Sequence, residues 1–164
     1  MSFDSKRDGS VWRRQCLVAV GLASLTIGAG AASAGECPAD KQGVDVTKPG
    51  ATESKDVTDK VLSSIDLGKE KMALADHQLR LRELEVKPGG VVAWHSHGDR
   101  PAIIYIIKGE IVEYASNCAI PIVHKAGQVA RETSGTAHWW KNMGQQTVLL
   151  LSADILHDRA DHNM

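Results

Sequence analysis

Several features that would point to common activities are missing from this sequence. No apolar run reaches the roughly 20 residues needed to span a bilayer. The longest, Cys16 to Gly30, stops at fifteen. Lys and Arg number 19 against 20 Asp and Glu, so there is no positive excess of the kind a nucleic-acid surface requires. There is no G-x-S-x-G elbow, no phosphate loop and no H-E-x-x-H helix. The three cysteines form no C-x-x-C pair. No segment sustains a 3.6-residue apolar period, and no repeat or low-complexity tract is visible. These absences exclude a bundle, a membrane span in the mature chain and the commoner nucleophile- or phosphate-based enzymes.

The N-terminus has a different composition from the rest. Lys6, Arg7, Arg13 and Arg14 precede the short apolar run, and Ala32-Ser33-Ala34 follows it as a small-x-small cleavage signal. That order is a secretory signal peptide, residues 1–34, cut after Ala34, with an uncleaved membrane anchor as the alternative. Arg13-Arg14 and Leu17 match part of a twin-arginine export motif, so either export route remains open. Removing 1–34 takes away four basic and two acidic residues, leaving 15 and 18, a net charge near −3. The 164-residue chain fits one domain, and what remains is long enough for one core in a periplasmic or secreted protein. Cys37 and Cys118 survive processing. In an oxidising compartment an even pair favours a bridge over two free thiols.

Residues 35–56 are polar, with Pro38 and Pro49, and read as an irregular arm. From 57 to 157, short apolar or alternating runs are separated by turn residues. Strands are expected near 61–67, 78–86, 91–95, 102–108, 110–115, 120–124, 128–131, 137–142 and 147–156, with turns at Lys87-Pro88-Gly89-Gly90, Lys108-Gly109-Glu110 and Ala126-Gly127-Gln128. Helix is confined to the signal peptide and to 57–64. The class is all-β, a sandwich or a barrel, followed by a polar tail at 158–164.

His95-Ser96-His97 ends one strand pattern. Alternate strand residues point the same way about 6.6 Å apart, so both imidazoles can share an ion. Here the sequence resembles the cupin superfamily, in particular its small exported single-domain, type-2-like barrels. The family's first motif is G-x5-H-x-H-x3,4-E-x6-G, and Gly89, His95, His97 and Gly109 occupy its positions. The second is G-x5-P-x-G-x2-H-x3-N, and Gly127, Gly135, His138 and Asn142 fit it, with Thr133 in place of the proline. The resemblance implies a double-stranded β-helix, jelly-roll-like barrel with His95, His97 and His138 as metal ligands. It also implies a homodimer, since such barrels often pair through edge strands.

The departure is the carboxylate. Ala102 stands where the family's metal-binding Glu would be, and Asp99 has the opposite parity. Three neutral imidazoles leave the ion's charge uncompensated, which favours a divalent ion and anionic ligands. Fe, Zn, Ni or Cu would all suit three His plus water. The set differs from the two-His-one-carboxylate oxygenase pattern, but three-His cupins include thiol dioxygenases, so oxygen chemistry stays open by resemblance.

Three further residues are candidates for the pocket. Arg100 can clamp a carboxylate or belong to an Asp99–Arg100 surface turn. Trp140 shares the parity of His138 and can wall the pocket. Asn142 can anchor a loop or a water. Trp139, Trp94 and Tyr105 read as packing, and His77 and His124 as surface or satisfied histidines. Three functions follow: a periplasmic metal-dependent oxygenase acting on a small organic molecule, a non-catalytic binder of a small molecule or anion, and a structural barrel without metal.

Overall fold

A computed structural model describes residues 35–157. The signal peptide read at 1–34 and the tail at 158–164 lie outside the described residues. Eight strands run in chain order: β1 (Lys55–Asp66), β2 (His77–Ser96), β3 (Ala102–Lys108), β4 (Glu110–Ala115), β5 (Ile122–Lys125), β6 (Val129–Glu132), β7 (Ala137–Lys141) and β8 (Val148–His157). Among the described residues the only helical turns are two short 3-10 segments, Ala39–Lys41 and Leu67–Lys69.

The sheet order is β5-β4-β7-β2-β8-β3-β6, with β1 paired to β2. Its two end strands, β5 and β6, are consecutive in the chain. The turn between them bonds back to the β3–β4 turn: Ala126 N–H donates to Gly109 O at 3.0 Å and Gly127 N–H to Ile106 O at 2.8 Å. This curls the sheet into a nearly closed all-β barrel. Gly109 has φ +87° in the tight turn, and a Cβ there would meet Val148 Cγ2 at 3.0 Å, so both conformation and space call for glycine.

Two local expectations are corrected. Residues 57–64 are strand, not helix: β1 pairs antiparallel with β2 from Asp66↔Gln78 to Lys55↔Val91. Val57, Val61 and Ile65 have helical spacing, but β-branched residues suit an extended edge and the pairing decides. Lys87-Pro88-Gly89-Gly90 does not end a strand either. β2 continues through it, with Val57↔Val86 followed by Lys55↔Val91, so four residues bulge opposite Asp56.

The inward residues change character at one level of the barrel. Leu84, Val86, Ile104, Ile106, Ile111, Val148 and Leu150 form the apolar end with Val92, Ala130 and Trp140. Burying a residue such as Ile106 completely contributes roughly 2 kcal/mol. One or two inward positions further along the same strands, the side chains become Arg82, Glu113, Glu132, His138, Ser152 and Asp154, joined by His124 on β5, all buried. The core holds the barrel from one end, and beyond the polar layer Ala115, Cys118 and Ile122 form a smaller apolar cluster.

Candidate metal centre

His95 lies near the end of β2, His97 is the first residue beyond it, and His138 lies on β7. The two strands pair antiparallel with His95 directly opposite His138, and His97 N–H donates to Thr136 O at 2.9 Å. Strand pairing thus closes a 41-residue gap. The three Nε2 atoms stand 3.1 Å (His95–His97), 3.0 Å (His97–His138) and 3.1 Å (His138–His95) apart.

The outer nitrogens fix the tautomers. His95 Nδ1 donates to Ala93 O at 2.9 Å and His97 Nδ1 to Arg100 O at 2.7 Å. His138 Nδ1 donates to Glu113 Oε1 at 2.7 Å. Each neutral ring therefore aims a lone pair inward, and three lone pairs at this separation repel unless a positive charge sits between them. The triangle's centre is about 1.8 Å from each nitrogen, so one ion just off that plane reaches all three at about 2.0–2.1 Å. The donor set fits a transition-metal ion, and the group could hold one. Without an ion, one shared proton can take its place.

Charge around the trio is uneven. Burial, then the neighbouring His138, pushes the His97 pKa down to about 4. The same two causes, in the same order, take His95 down to about 2. Burial also works against a charged His138, but Glu132 and Glu113 beside it outweigh that and raise its pKa. Glu113 is itself buried, yet hydrogen bonds from His124 and His138 hold its carboxyl down at about 2. Glu132 is pushed up to about 7, by burial first; His138 opposes the rise and Glu113 adds to it.

These carboxylates are what the sequence reading missed. Glu113 accepts from His138 Nδ1 and, through Oε2, from His124 Nε2 at 2.7 Å. Glu132 Oε2 lies 3.4 Å from His138 Nδ1. Ala102, at the position of the absent Glu, pairs in register with Glu132 across β3 and β6. Negative charge therefore reaches the centre through the imidazole of His138 rather than by direct ligation. A signal was present in the sequence: Glu113 has the inward parity of Ile111 and Ala115, and Glu132 that of Ala130.

The other candidates fall in different places. Trp140 is buried, stacks on His124 at 4.7 Å and meets His138 edge-on, its indole nitrogen 3.0 Å from Nδ1. Asn142 anchors a loop: Nδ2 donates to Val86 O and Gln146 O, and Oδ1 accepts from Gly144 N–H. Arg100 is 1% exposed, which replaces the surface-turn reading with a buried cation, and it is absent from the lining of the cavity beside the histidines. Asp99 is exposed, 3.6 Å from His157. His124 is buried rather than on the surface. Trp139 stacks on Tyr114 at 4.1 Å, away from the site. Cys37 and Cys118 are disulfide-bonded.

Two cavities lie near this group, one lined by His138 and one by the carboxylates that contact it. One, of about 30 Å³, adjoins His95, His97 and His138 and is walled by Leu84, Val92, Ile104, Trp140 and Leu150, with Arg82 and Ser152 as its other polar lining. Arg82 is held by Asp59 at 2.5 Å and Asp154 at 3.2 Å. The other, of about 170 Å³, is lined by Glu113, His124, Glu132, Thr136 and the arm at Gly35–Cys37.

Residues 82–154 match the family model described as a cupin domain. That stretch is a cupin domain by this match. The chain finds no match among curated proteins. Among solved structures it is similar to the cupin domain of Schizosaccharomyces pombe Cnp3, at 17% identity and TM-score 0.48 over 65% of each chain. It thus spans less than two thirds of that structure. It is also similar to a Klebsiella pneumoniae protein with a double-stranded β-helix domain, at 21% identity and TM-score 0.48, covering 66% of this chain and 82% of that one. A predicted oxalate decarboxylase from Thermotoga maritima gives 21% identity and TM-score 0.43, covering 65% and 99%.

Proposed function

We propose that this cupin is exported to the periplasm, loses residues 1–34, and holds a divalent transition metal on His95, His97 and His138. In this reading it acts as a metal-dependent oxidoreductase of the oxygenase type on a small organic molecule. The observation that carries it is the convergence of three Nε2 lone pairs within 3.0–3.1 Å, each tautomer fixed from outside. A bound ion supplies Lewis acidity and open coordination positions. The chain supplies the rest. Glu113 orients His138 and raises its basicity. Leu84, Val92, Ile104 and Leu150 keep the approach dry, and Arg82, its charge held by Asp59 and Asp154, adds a polar wall beside the centre. A cavity of about 30 Å³ admits only a small ligand or the reacting end of a larger one.

The test is elemental analysis of exported protein, followed by oxygen uptake with iron-loaded protein across thiols and small carboxylic acids. Near-stoichiometric metal and uptake that vanishes in His97→Ala are expected. Metal without turnover on any substrate would sink the oxygenase part.

The second reading is a non-catalytic binder of a small molecule or anion. It is favoured by one observation: among the described residues no carboxylate lines the inner cavity, so none of them other than the histidines offers an acid or base to a ligand there. Ligand-induced thermal shifts without product would select it. A homodimer is part of the proposal. Among the described residues β1 pairs along one edge only, and it exposes Val61, Leu62 and Ile65. Sedimentation at the mass of one chain would remove this element.

A further inference from the structure

The larger cavity is a built site that the metal centre does not use. Its buried polar side chains are Glu113, Glu132, His124 and Thr136, none more than 5% exposed. His124 donates Nε2–H to Glu113, so in the neutral ring Nδ1 is an acceptor. That atom is buried and, among the described residues, has no hydrogen-bond partner. Among the described residues the one ion-pair partner of Glu132 is His138 Nδ1, at 3.4 Å. Glu113 has its oxygens taken by His138 and His124, and Arg131 in the lining is paired with Glu36, so Glu132 and a bare imidazole nitrogen face the space with too few donors; such groups are costly to bury unmatched. The site calls for a small cation rich in N–H.

The same cavity is roofed by the start of the arm. Gly35 is buried and lines it with Glu36 and Cys37. The roof is pinned three times: by the Cys37–Cys118 disulfide, by the Glu36–Arg131 ion pair at 3.1 Å, and by the bridge between Gln42 and Cys118. Gly35 has φ +95°, and a Cβ on it would stand 3.1 Å from His124 Nδ1 and 3.4 Å from Gln128 Oε1. Only glycine suits that conformation, and its backbone is brought against the unpartnered acceptor.

We infer that this cavity receives the chain's own α-ammonium group, formed at Gly35 when the Ala34–Gly35 bond is cut. The inference rests on the export reading above. Cleavage is a hydrolysis by a signal endopeptidase: water adds across the peptide bond, Ala34 leaves as a carboxylate and Gly35 gains the ammonium. That group has three N–H donors and one positive charge, where the uncut peptide has one donor and none. His124 Nδ1, Gln128 Oε1 and the Glu132 carboxylate are its acceptors. Processing thereby completes a polar cluster that the precursor leaves short of charge, and it fixes the arm over the outer face of His138.

The test uses the full chain, exported and purified from the periplasm. Intact mass gives the start, expected at Gly35. The α-amine is then acylated near neutral pH, where it outreacts lysine because its ordinary pKa is about 7.7–8.0 against about 10.4. Labelling is expected at least tenfold slower in the native chain than in the unfolded one, and Glu132→Gln should restore most of that rate. If Glu132→Gln does not fold, the wild-type comparison alone decides. A chain that starts at Gly35 but is acylated natively at the unfolded rate overturns this inference and leaves export standing. A chain that starts at any other residue overturns both the cleavage site and the inference.

Discussion

The two nitrogens of His138 meet surroundings that differ in almost every respect: Nε2 lines one chamber, and Nδ1 meets the two carboxylates that wall another. Nε2 faces about 30 Å³ of mostly aliphatic wall, with two other lone pairs beside it. Nδ1 faces carboxylates at the edge of about 170 Å³ of polar space under a disulfide-held arm. One imidazole can hold an ion on one side only because its proton is fixed on the other. The dry chamber decides what binds, and the wet chamber decides how much positive charge the binding nitrogens tolerate. A direct carboxylate ligand would merge these tasks. Ala102 separates them, and Glu113 and Glu132 supply the charge from outside.

The sharpest way to break the contrast is to empty the dry chamber. His97→Ala removes one of three inward lone pairs. Metal content measured by elemental analysis should fall from near one per chain to near zero, since even losing an outer-shell partner costs about 10- to 100-fold in affinity. The barrel should persist, because the apolar end of the core does not include His97. Metal retained at full stoichiometry would mean that the ion sits elsewhere, for example among Glu113, Glu132 and His138.

The next effect falls on the wet chamber. Cys37 and Cys118 are 81 residues apart, and removing the bridge with Cys118→Ser should cost roughly 4 kcal/mol on the loop-entropy account, read by denaturant melting. The dry chamber should keep its ion, because no arm residue lines it. If ion affinity collapsed with the bridge, the two chambers would not be separate.

A smaller change addresses the link between them. Glu113→Gln keeps the side-chain shape and removes the charge that orients His138 and accepts from His124. Metal affinity should drop about 10- to 100-fold with the ion still bound at saturation. Competition against a chelator of known affinity measures it. An unchanged affinity would leave Glu132 as the sole source of outer charge.

How far these chambers were legible in the sequence follows from what each depends on. The three histidines could be grouped because H-x-H parity is local and the second motif places His138 by spacing. β3 and β4 were readable to the residue, Ala102–Lys108 and Glu110–Ala115, because Gly109 separates two clean alternations. β1 was readable only in part, as the strand at 61–67, because Val57, Val61 and Ile65 also keep a helical spacing and pairing with β2 carries the strand back to Lys55. Glu113 and Glu132 had inward parity, but parity does not say which neighbour is met. Their contact with His138 requires the β4–β7 register, Ala115↔His138, and the packing of β6 against β3. The inner cavity's wall was hidden for the same reason, since Arg82 and Ser152 meet only once β2 pairs with β8.

The finest test reads protons. His95 and His97 have pKa values depressed to about 2 and about 4, so both are neutral at any pH near 7 and hydrogen ions do not compete for their lone pairs there. His138 is shifted upward, because Glu132 and Glu113 outweigh its burial. The ion-free centre therefore keeps one proton on His138 Nε2 to higher pH than an ordinary imidazole, shared toward the other two nitrogens at 3.0 and 3.1 Å. An ion must expel that proton. Below the raised pKa the apparent affinity should climb about tenfold per pH unit, and above it the dependence should flatten. Calorimetry in buffers of different protonation enthalpy should show more proton released per ion near neutral pH than an unshifted imidazole would give. Glu113→Gln removes part of the upward push, so its release at the same pH should be smaller. A wild-type chain that releases no proton near neutrality would mean that the wet chamber does not reach the dry one through His138.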